Sequence, residues 1–468
     1  VFGVGYPLTA GAYDATFNGG EGTFNIDIGI SKFNAQGTAL LYSTYVGGNR
    51  NETPNSIVAN AQNELYVLGV TSSTNFPMAG TPVQAAFAGG TLTTQNALQF
   101  TGTDIIVFKL NAGGTALMSS TYLGGTGNDG LNLSPLSYNY GDQFRGEIIV
   151  DDASNVYIAS STRSIDFPVI NGFDNSLGGD QDAIVAKFSP NLNTLFWSTY
   201  FGGASDDTGY AVQISSSGNV YLTGGTSSTT LGFSNGHINN FIGGTADGYI
   251  VQLNGTTSSP ISGTYVGTNA YDQNYFVQLD LDDNVYVFGQ TLGVMPITPG
   301  LYSNPNSGQF IRKYNEGLDN AVWNTLVGGG NNTVEISPTA FLVSDCYEIY
   351  FSGWGGQTNQ SSQATSSTTT GFPTTADGFQ QNTNGNNFYV AVLGEDASTL
   401  NYASFMGGVT TSPNHVDGGT SRFDKKGRIY HAVCGGCGGN ANGFTTTSGV
   451  VSPQNQSSNC NLAAFKFD

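Results

Sequence analysis

Leu40-Leu41-Tyr42-Ser43-Thr44-Tyr45-Val46-Gly47-Gly48 is rewritten along the whole chain. STYLGG returns at Ser120–Gly125 and STYFGG at Ser198–Gly203, with looser copies GTYVGT from Gly263, NTLVGG from Asn324 and ASFMGG from Ala403. The third positions, Tyr45, Tyr122, Tyr200, Tyr265, Leu326 and Phe405, recur at intervals of roughly 60–80 residues, so the chain reads as a repeat architecture.

Other segments keep the same register. A tyrosine-bearing strand recurs as VFGV at Val1, YVLGVT at Tyr66, YIASST at Tyr157, YLTGGT at Tyr221, YVFGQT at Tyr286, IYFSGW at Ile349 and IYHAVC at Ile429. A further strand opens at Asp27, Asp104, Asp182, Asp247, Gln309, Asn387 and Asn461. β-Branched and aromatic residues broken by Gly, Asn, Asp and Pro are strand and turn signals. Four strands per unit around a centre predict an all-β, seven-bladed β-propeller of four-stranded antiparallel blades. The repeats fall at 1–48, 49–125, 126–203, 204–268, 269–329, 330–408 and 409–468, read as a single propeller domain.

Loop lengths order the strands. Hairpin-short turns join the first strand to the second and the third to the STY strand, while the loop from second to third is long. This puts the Ile57-type strand innermost, the tyrosine strand next, the Asp104-type strand third and the STY strand at the rim. Hairpin turns then share one face, and long loops and inter-repeat links the other. Six STY copies against seven of the tyrosine strand predict closure by strands upstream of Val1, because an unpaired sheet edge invites aggregation.

The balance of 33 acidic to 13 basic residues, net −20, argues against nucleic acid as a partner. No apolar run reaches membrane-spanning length, which argues against direct membrane insertion. A surface rich in Asn, Thr and Ser and poor in lysine suits an extracellular protein.

YSTYVGG, the FP pairs Phe76-Pro77, Phe167-Pro168 and Phe372-Pro373, and D-x-x-V-x-K resemble the SBBP repeats of bacterial propellers. GWGG from Gly353, HVDGGTSRFD from His415, VCGGCGG from Val433 and CNLAAFKFD from Cys460 resemble propeller segments of large secreted Bacteroidetes surface proteins of the gliding-motility and type IX secretion cargo kind. The resemblance implies an outer-surface location, secretion through the type IX system and further domains on the same polypeptide. It implies no catalytic motif.

The STY serines recur without matching histidines, and a nucleophilic serine needs a base within reach; no catalytic residue is assigned. Acidic residues follow the double glycine at Glu52, Asp129, Asp206, Asp207, Asp272, Glu335 and Asp417, and a second set opens third strands at Asp27, Asp104, Asp182 and Asp247. Asp129, Asp206, Asp207, Asp272 and Asp417 are candidate calcium ligands, and no other cofactor is expected. The competing role is turn fixation by accepting backbone N–H groups. His415, Asp417 and His431 form a thinner metal candidate. Lys32, Lys109, Lys187, Lys313 and Lys466 are read as partners of blade carboxylates.

Cys434, Cys437 and Cys460 fall on the long-loop face, so Cys460 is expected to bridge Cys434 or Cys437; Cys346 lies in a turn on the opposite face. That long-loop face is the expected binding surface, with Phe87, Phe100, Trp354 and His415 as its candidates. The insertion around Gln357–Thr370 reads as a solvated polar loop. The functional expectation is a non-enzymatic extracellular module for adhesion, protein or glycan binding, or spacing. The alternatives are a polysaccharide-binding or polysaccharide-degrading module, and a subunit of a surface filament or secretion assembly.

Overall fold

A computed structural model describes residues 1–408, 412–418 and 421–467 of the chain. Repeats two to six each build a four-stranded antiparallel sheet, and the strand order is the expected one. In repeat two, Glu52–Ala59 pairs with Leu65–Thr71, then Asp104–Leu110, then Leu117–Leu123. Direct pairs such as Tyr66 with Lys109 and Ile106 with Tyr122 fix the register. Inner strands of successive repeats touch one another, from Glu52–Ala59 through Glu147–Val150, Ala211–Ile214, Asp272–Leu279 and Ser337–Val343 to Arg422–Phe423. The chain is a β-propeller.

The count differs from expectation. Among the described residues the ring has six blades with an inner strand rather than seven: five with four strands, and repeat seven with three, Arg422–Phe423, Ile429–Gly435 and Asn461–Phe467. Repeat one supplies a two-stranded sheet, Ile28–Phe33 with Leu40–Val46, packed against repeat two through Ile28, Ile30, Val67 and Ile106. The VFGV segment expected as a strand there makes a single bridge, Phe2 to Ile26. Gly3 and Gly5, at φ 71° and 112°, turn the backbone out of the extended region on either side of Val4. Between repeats seven and two, the Arg422 side chain spans the ring, donating to Ile57 O at 3.3 Å and Ser56 Oγ at 2.9 Å.

The STY motif explains how the rim is covered. Ser120 Oγ donates to Pro77 O at 2.8 Å, and Tyr122 Oη accepts from Phe76 N–H and donates to Ser73 O, both at 2.9 Å. The backbone of the long loop also pairs with the rim, Ser120 N–H to Ala79 O and Tyr122 N–H to Gln84 O, both 3.1 Å. Repeat three repeats the arrangement, with Tyr200 Oη accepting from Phe167 N–H at 3.0 Å and donating to Ser164 O at 2.6 Å. In repeats two and three the long loop therefore folds back over the outer strand and satisfies an edge that would otherwise be open. In these two repeats the FP pair and the STY strand are two halves of one clasp.

Apolar clusters lie between blades rather than within them. Tyr66, Leu68 and Val107 of repeat two pack with Ile148, Ile158 and Ile184 of repeat three. The third-strand lysines lie over aromatic rings of their own sheet: Lys109 is 5.3 Å from the Tyr66 ring centre, Lys187 5.0 Å from Tyr157 and Lys313 5.0 Å from Tyr286. The expected carboxylate partner is present for Lys109, at 2.7 Å from Glu64, and for Lys313, at 2.9 Å from Asp396. Lys187 instead donates to Gly255 O at 3.1 Å.

Candidate functional site

The two ends of the ring's axis differ. On the long-loop side the axis is filled by the chain's own link between repeats two and three. That link runs from Gly124 to Gly146, where the link between repeats three and four runs only from Gly202 to Tyr210. Its side chains are sewn to the inner strands. Asn132 donates to Tyr210 Oη at 2.7 Å, Tyr210 donates to Leu136 O at 3.1 Å, and Gln273 donates to the same carbonyl at 2.8 Å. Asn139 donates to Tyr275 Oη, which donates to Asp142 Oδ2, both at 2.8 Å.

Arg145 is the hub of this plug. Its Nε donates to Asp142 Oδ1 at 2.6 Å, its Nη2 donates to Ser337 Oγ and Pro338 O, and its guanidinium lies 4.4 Å from the Tyr275 ring centre. Asp142, Arg145, Tyr210 and Tyr275 are all buried. A buried arginine, carboxylate and two tyrosines at an axis would suit anion recognition, but here each is spent on a protein partner. The Gln357–Thr370 insertion, expected to be solvated, packs onto the plug: Asn359 and Ala364 are buried, and Gln363 donates to Pro135 O and Ser137 O at 2.9 Å. Within the long loop of repeat two, Leu92–Gln95 and Leu98–Thr101 form a small hairpin whose Phe100 packs against Phe144, ring centres 6.1 Å apart.

On the hairpin-turn side a cavity of about 560 Å³ remains between the inner strands. Ile57, Leu65, Phe276 and Leu342 supply apolar wall, and Gln213, Gln278, Glu147 and Arg422 supply polar groups. Arg422 Nη1 lies 2.6 Å from Glu147 Oε1, and Glu147 also accepts from Val212 N–H at 2.9 Å. Burial pushes the Glu147 carboxyl up, and Arg422 offsets part of that. Asp424 at the same mouth accepts from Lys426 N–H and Arg428 N–H of its own turn, at 2.9 and 3.1 Å.

The two acidic sets, separate in sequence, meet in pairs around the first glycine after STY. A Cβ on Gly124 would stand 2.7 Å from both Asp104 Oδ1 and Asp129 Oδ2. Gly202 lies likewise between Asp182 and Asp207, Gly267 between Asp247 and Asp272, and Gly47 between Asp27 and Glu52. Glycine is required there because any side chain would enter the pair. Burial drives Asp104 up to about 8, with repulsion from Asp129 adding to it, and takes Asp129 up to about 7. Burial likewise raises Asp207 to about 7 and Asp272 to about 6.

Of the calcium candidates, Asp129 accepts from Gly125 N–H and Ser164 Oγ at 2.8 and 2.7 Å, and from Thr162 Oγ1. Asp207 accepts from Gly203 N–H and Ser228 Oγ, both at 2.8 Å, and Asp272 from Thr268 N–H at 2.7 Å. These are turn-fixing contacts. Asp206 is half-buried beside Asp207, and burial raises its carboxyl. Asp417 belongs to a different cluster, with His415 Nε2 at 3.1 Å from its Oδ1 and Cys434 Sγ at 3.0 Å from its Oδ2.

The aromatic candidates face inward. Phe100, Trp354 and His415 are buried, and Phe87 is half-buried against Tyr122. His431 stacks on Phe465 at 4.7 Å, and burial drives its imidazole down to about 3. Cys460 bridges Cys437, one of the two expected partners, leaving Cys434 as a free thiol; Cys346 is free and exposed. The residues missed in the sequence are Asp142, Arg145, Glu147 and Arg422. The over-long link was the readable signal for the first two; Glu147 and Arg422 lie far apart in sequence and gave none.

No family model matches the chain, and no curated protein matches it. Similar solved structures include an ulvan lyase described as a new polysaccharide lyase family, 11% identical, covering 92% of this chain and 91% of that one, TM-score 0.45. An intramolecular trans-sialidase from Ruminococcus gnavus is 9% identical, covering 90% and 94%, TM-score 0.39. A protein of unknown function from Dyadobacter fermentans is 12% identical, covering 67% and 74%, TM-score 0.35. Likeness at this level carries no argument about what the chain does, and the propeller assignment rests on the strand order described above.

Proposed function

We propose that the ring is a non-enzymatic extracellular binding module of a larger secreted or surface polypeptide, taking a cell-surface protein or glycan at the hairpin-turn end of its axis. The observation that carries this reading is the plug: Asp142 and Arg145 are buried and mutually paired, so the long-loop end of the axis presents no solvent-reached charged group from that network. At the open end, Glu147 is tied to Arg422 and Asp424 to its own turn, which leaves neither in the spaced acid and base roles of a glycosidase. The Cys437–Cys460 bridge suits an oxidising compartment. No helix among the described residues is long and apolar enough to cross a membrane. The SBBP-like sequence supports export by the type IX route and neighbouring domains on the same chain.

Ala59 is exposed at the cavity mouth, so Ala59→Trp blocks the mouth without disturbing the core. Glycan-array and whole-cell pull-down binding by the purified ring, abolished in Ala59→Trp, is the expected result. Turnover of a polysaccharide by the wild type, lost in Glu147→Gln, would replace this reading with an enzymatic one.

A further inference from the structure

We infer that His415, Asp417 and Cys434 form a three-ligand binding site for a borderline divalent cation, with Zn²⁺ the best match to the donor set. The inference stands apart from the binding role proposed for the axis.

Strand register assembles the site. His415 and Cys434 are a directly opposed antiparallel pair, exchanging backbone hydrogen bonds at 3.1 Å (His415 N–H to Cys434 O) and 2.9 Å (Cys434 N–H to His415 O). Asp417 follows His415 by two positions, which in extended backbone returns its side chain to the same face. The three ligand atoms lie within 4.8 Å of one another. His415 Nε2 is 3.1 Å from Asp417 Oδ1, and Cys434 Sγ is 3.0 Å from Asp417 Oδ2. Ligands at about 2.0–2.3 Å from a tetrahedral ion stand about 3.3–3.7 Å apart, so small side-chain rotations suffice.

The surroundings are those of a built site. His415 is buried beneath aromatic walls, its ring centre 5.4 Å from that of Tyr140 and 5.8 Å from that of Trp354. Its Nδ1 faces Cys437 Sγ at 3.6 Å. Its other ring nitrogen, Nε2, faces Asp417 and is the atom that a metal ion shared with Asp417 and Cys434 would take. Tyr140 Oη donates to Asp417 Oδ1 at 3.2 Å and orients the carboxylate. The Asp417 side chain is 43% exposed, which gives an ion an entry path and a fourth position open to water. One nitrogen, one sulfur and one oxygen suit zinc, whereas calcium takes oxygen alone. The Cys437–Cys460 bridge keeps those two sulfurs out of the ligand set.

The test uses the full chain with its disulfide intact, loaded with Zn²⁺ or Co²⁺ and desalted. The expected result is one metal ion per chain, with a thiolate-to-cobalt charge-transfer band in the Co²⁺ form. Cys434→Ser abolishes the band and Asp417→Asn lowers retained zinc, each with an unchanged circular dichroism spectrum. A Cys437→Ser, Cys460→Ser double variant keeps the metal. Failure to retain either metal, or a band that survives in Cys434→Ser, overturns the assignment. Binding that appears only after reduction and is lost in the double variant overturns it as well, because the ligands would then be Cys437 and Cys460.

Discussion

Arg145 and Asp142 form an ion pair 2.6 Å long in the middle of the ring, with neither side chain open to solvent. Removing one partner leaves the other charge buried and uncompensated. Arg145→Met is therefore expected to cost about 3–5 kcal/mol, while the Asp142→Asn, Arg145→Met double variant recovers much of that loss. Denaturant unfolding of both variants checks the coupling.

The Tyr122 hydroxyl clasps the long loop of repeat two to the rim through Phe76 N–H and Ser73 O. Tyr122→Phe keeps the ring packing and leaves two buried backbone groups without partners, at an expected cost of about 1–3 kcal/mol. Limited proteolysis is expected to cut the 74–100 loop sooner than in the wild type. Equal cleavage rates would show that the loop is held by other contacts.

The glycine-centred carboxyl pairs give stability a definite pH dependence. Burial holds Glu52 and Asp104 up at about 8 and Asp129 at about 7, all above the usual carboxylate range. The folded chain therefore binds more protons than the unfolded chain between about pH 4 and pH 8, and stability falls as pH rises through that window. The melting temperature is expected to be higher at pH 5 than at pH 8, with a flatter profile in Asp104→Asn. A melting temperature that rises toward pH 8 would contradict the pairing.

Gly124 has no room for a side chain. Gly124→Ala would place a methyl carbon 2.7 Å from carboxylate oxygens of both Asp104 and Asp129. The substitution is expected to lower the melting temperature more than the same change at Gly37, where a Cβ meets nothing within 4 Å even though φ there is positive.

The blade order was legible because strand periodicity and loop length are local properties: the short turn at Ala61–Glu64 and the long loop after Thr71 fix which strands are neighbours. The number of blades was not, because the VFGV copy of the tyrosine strand lacks an inner strand to pair with and is broken by Gly3 and Gly5. Asp104 and Asp129 each stand out in the sequence, but their meeting across Gly124 depends on the turn that brings one repeat into the next. His415 and Asp417 are two positions apart in the sequence and share one face, whereas His431 stacks on Phe465 and Cys434 comes beside Asp417 only through cross-strand pairing with His415. Phe100 and Trp354 sit in loops and strand ends, positions that suggest a surface in the sequence, yet the plug buries them.

The plug is what separates this ring from one with an open axis at the long-loop end, and hydrogen exchange of the Leu131–Arg145 segment tests it most directly. Protection of the Asn132, Phe144 and Arg145 amides comparable to that of the blade strands is the predicted result, since these N–H groups bond to Gln143 O, Gly141 O and Asp142 O inside the packed core. Exchange as fast as in the exposed turn at Asn34–Thr38 would mean that the axis is open, and the binding-module reading would lose its support.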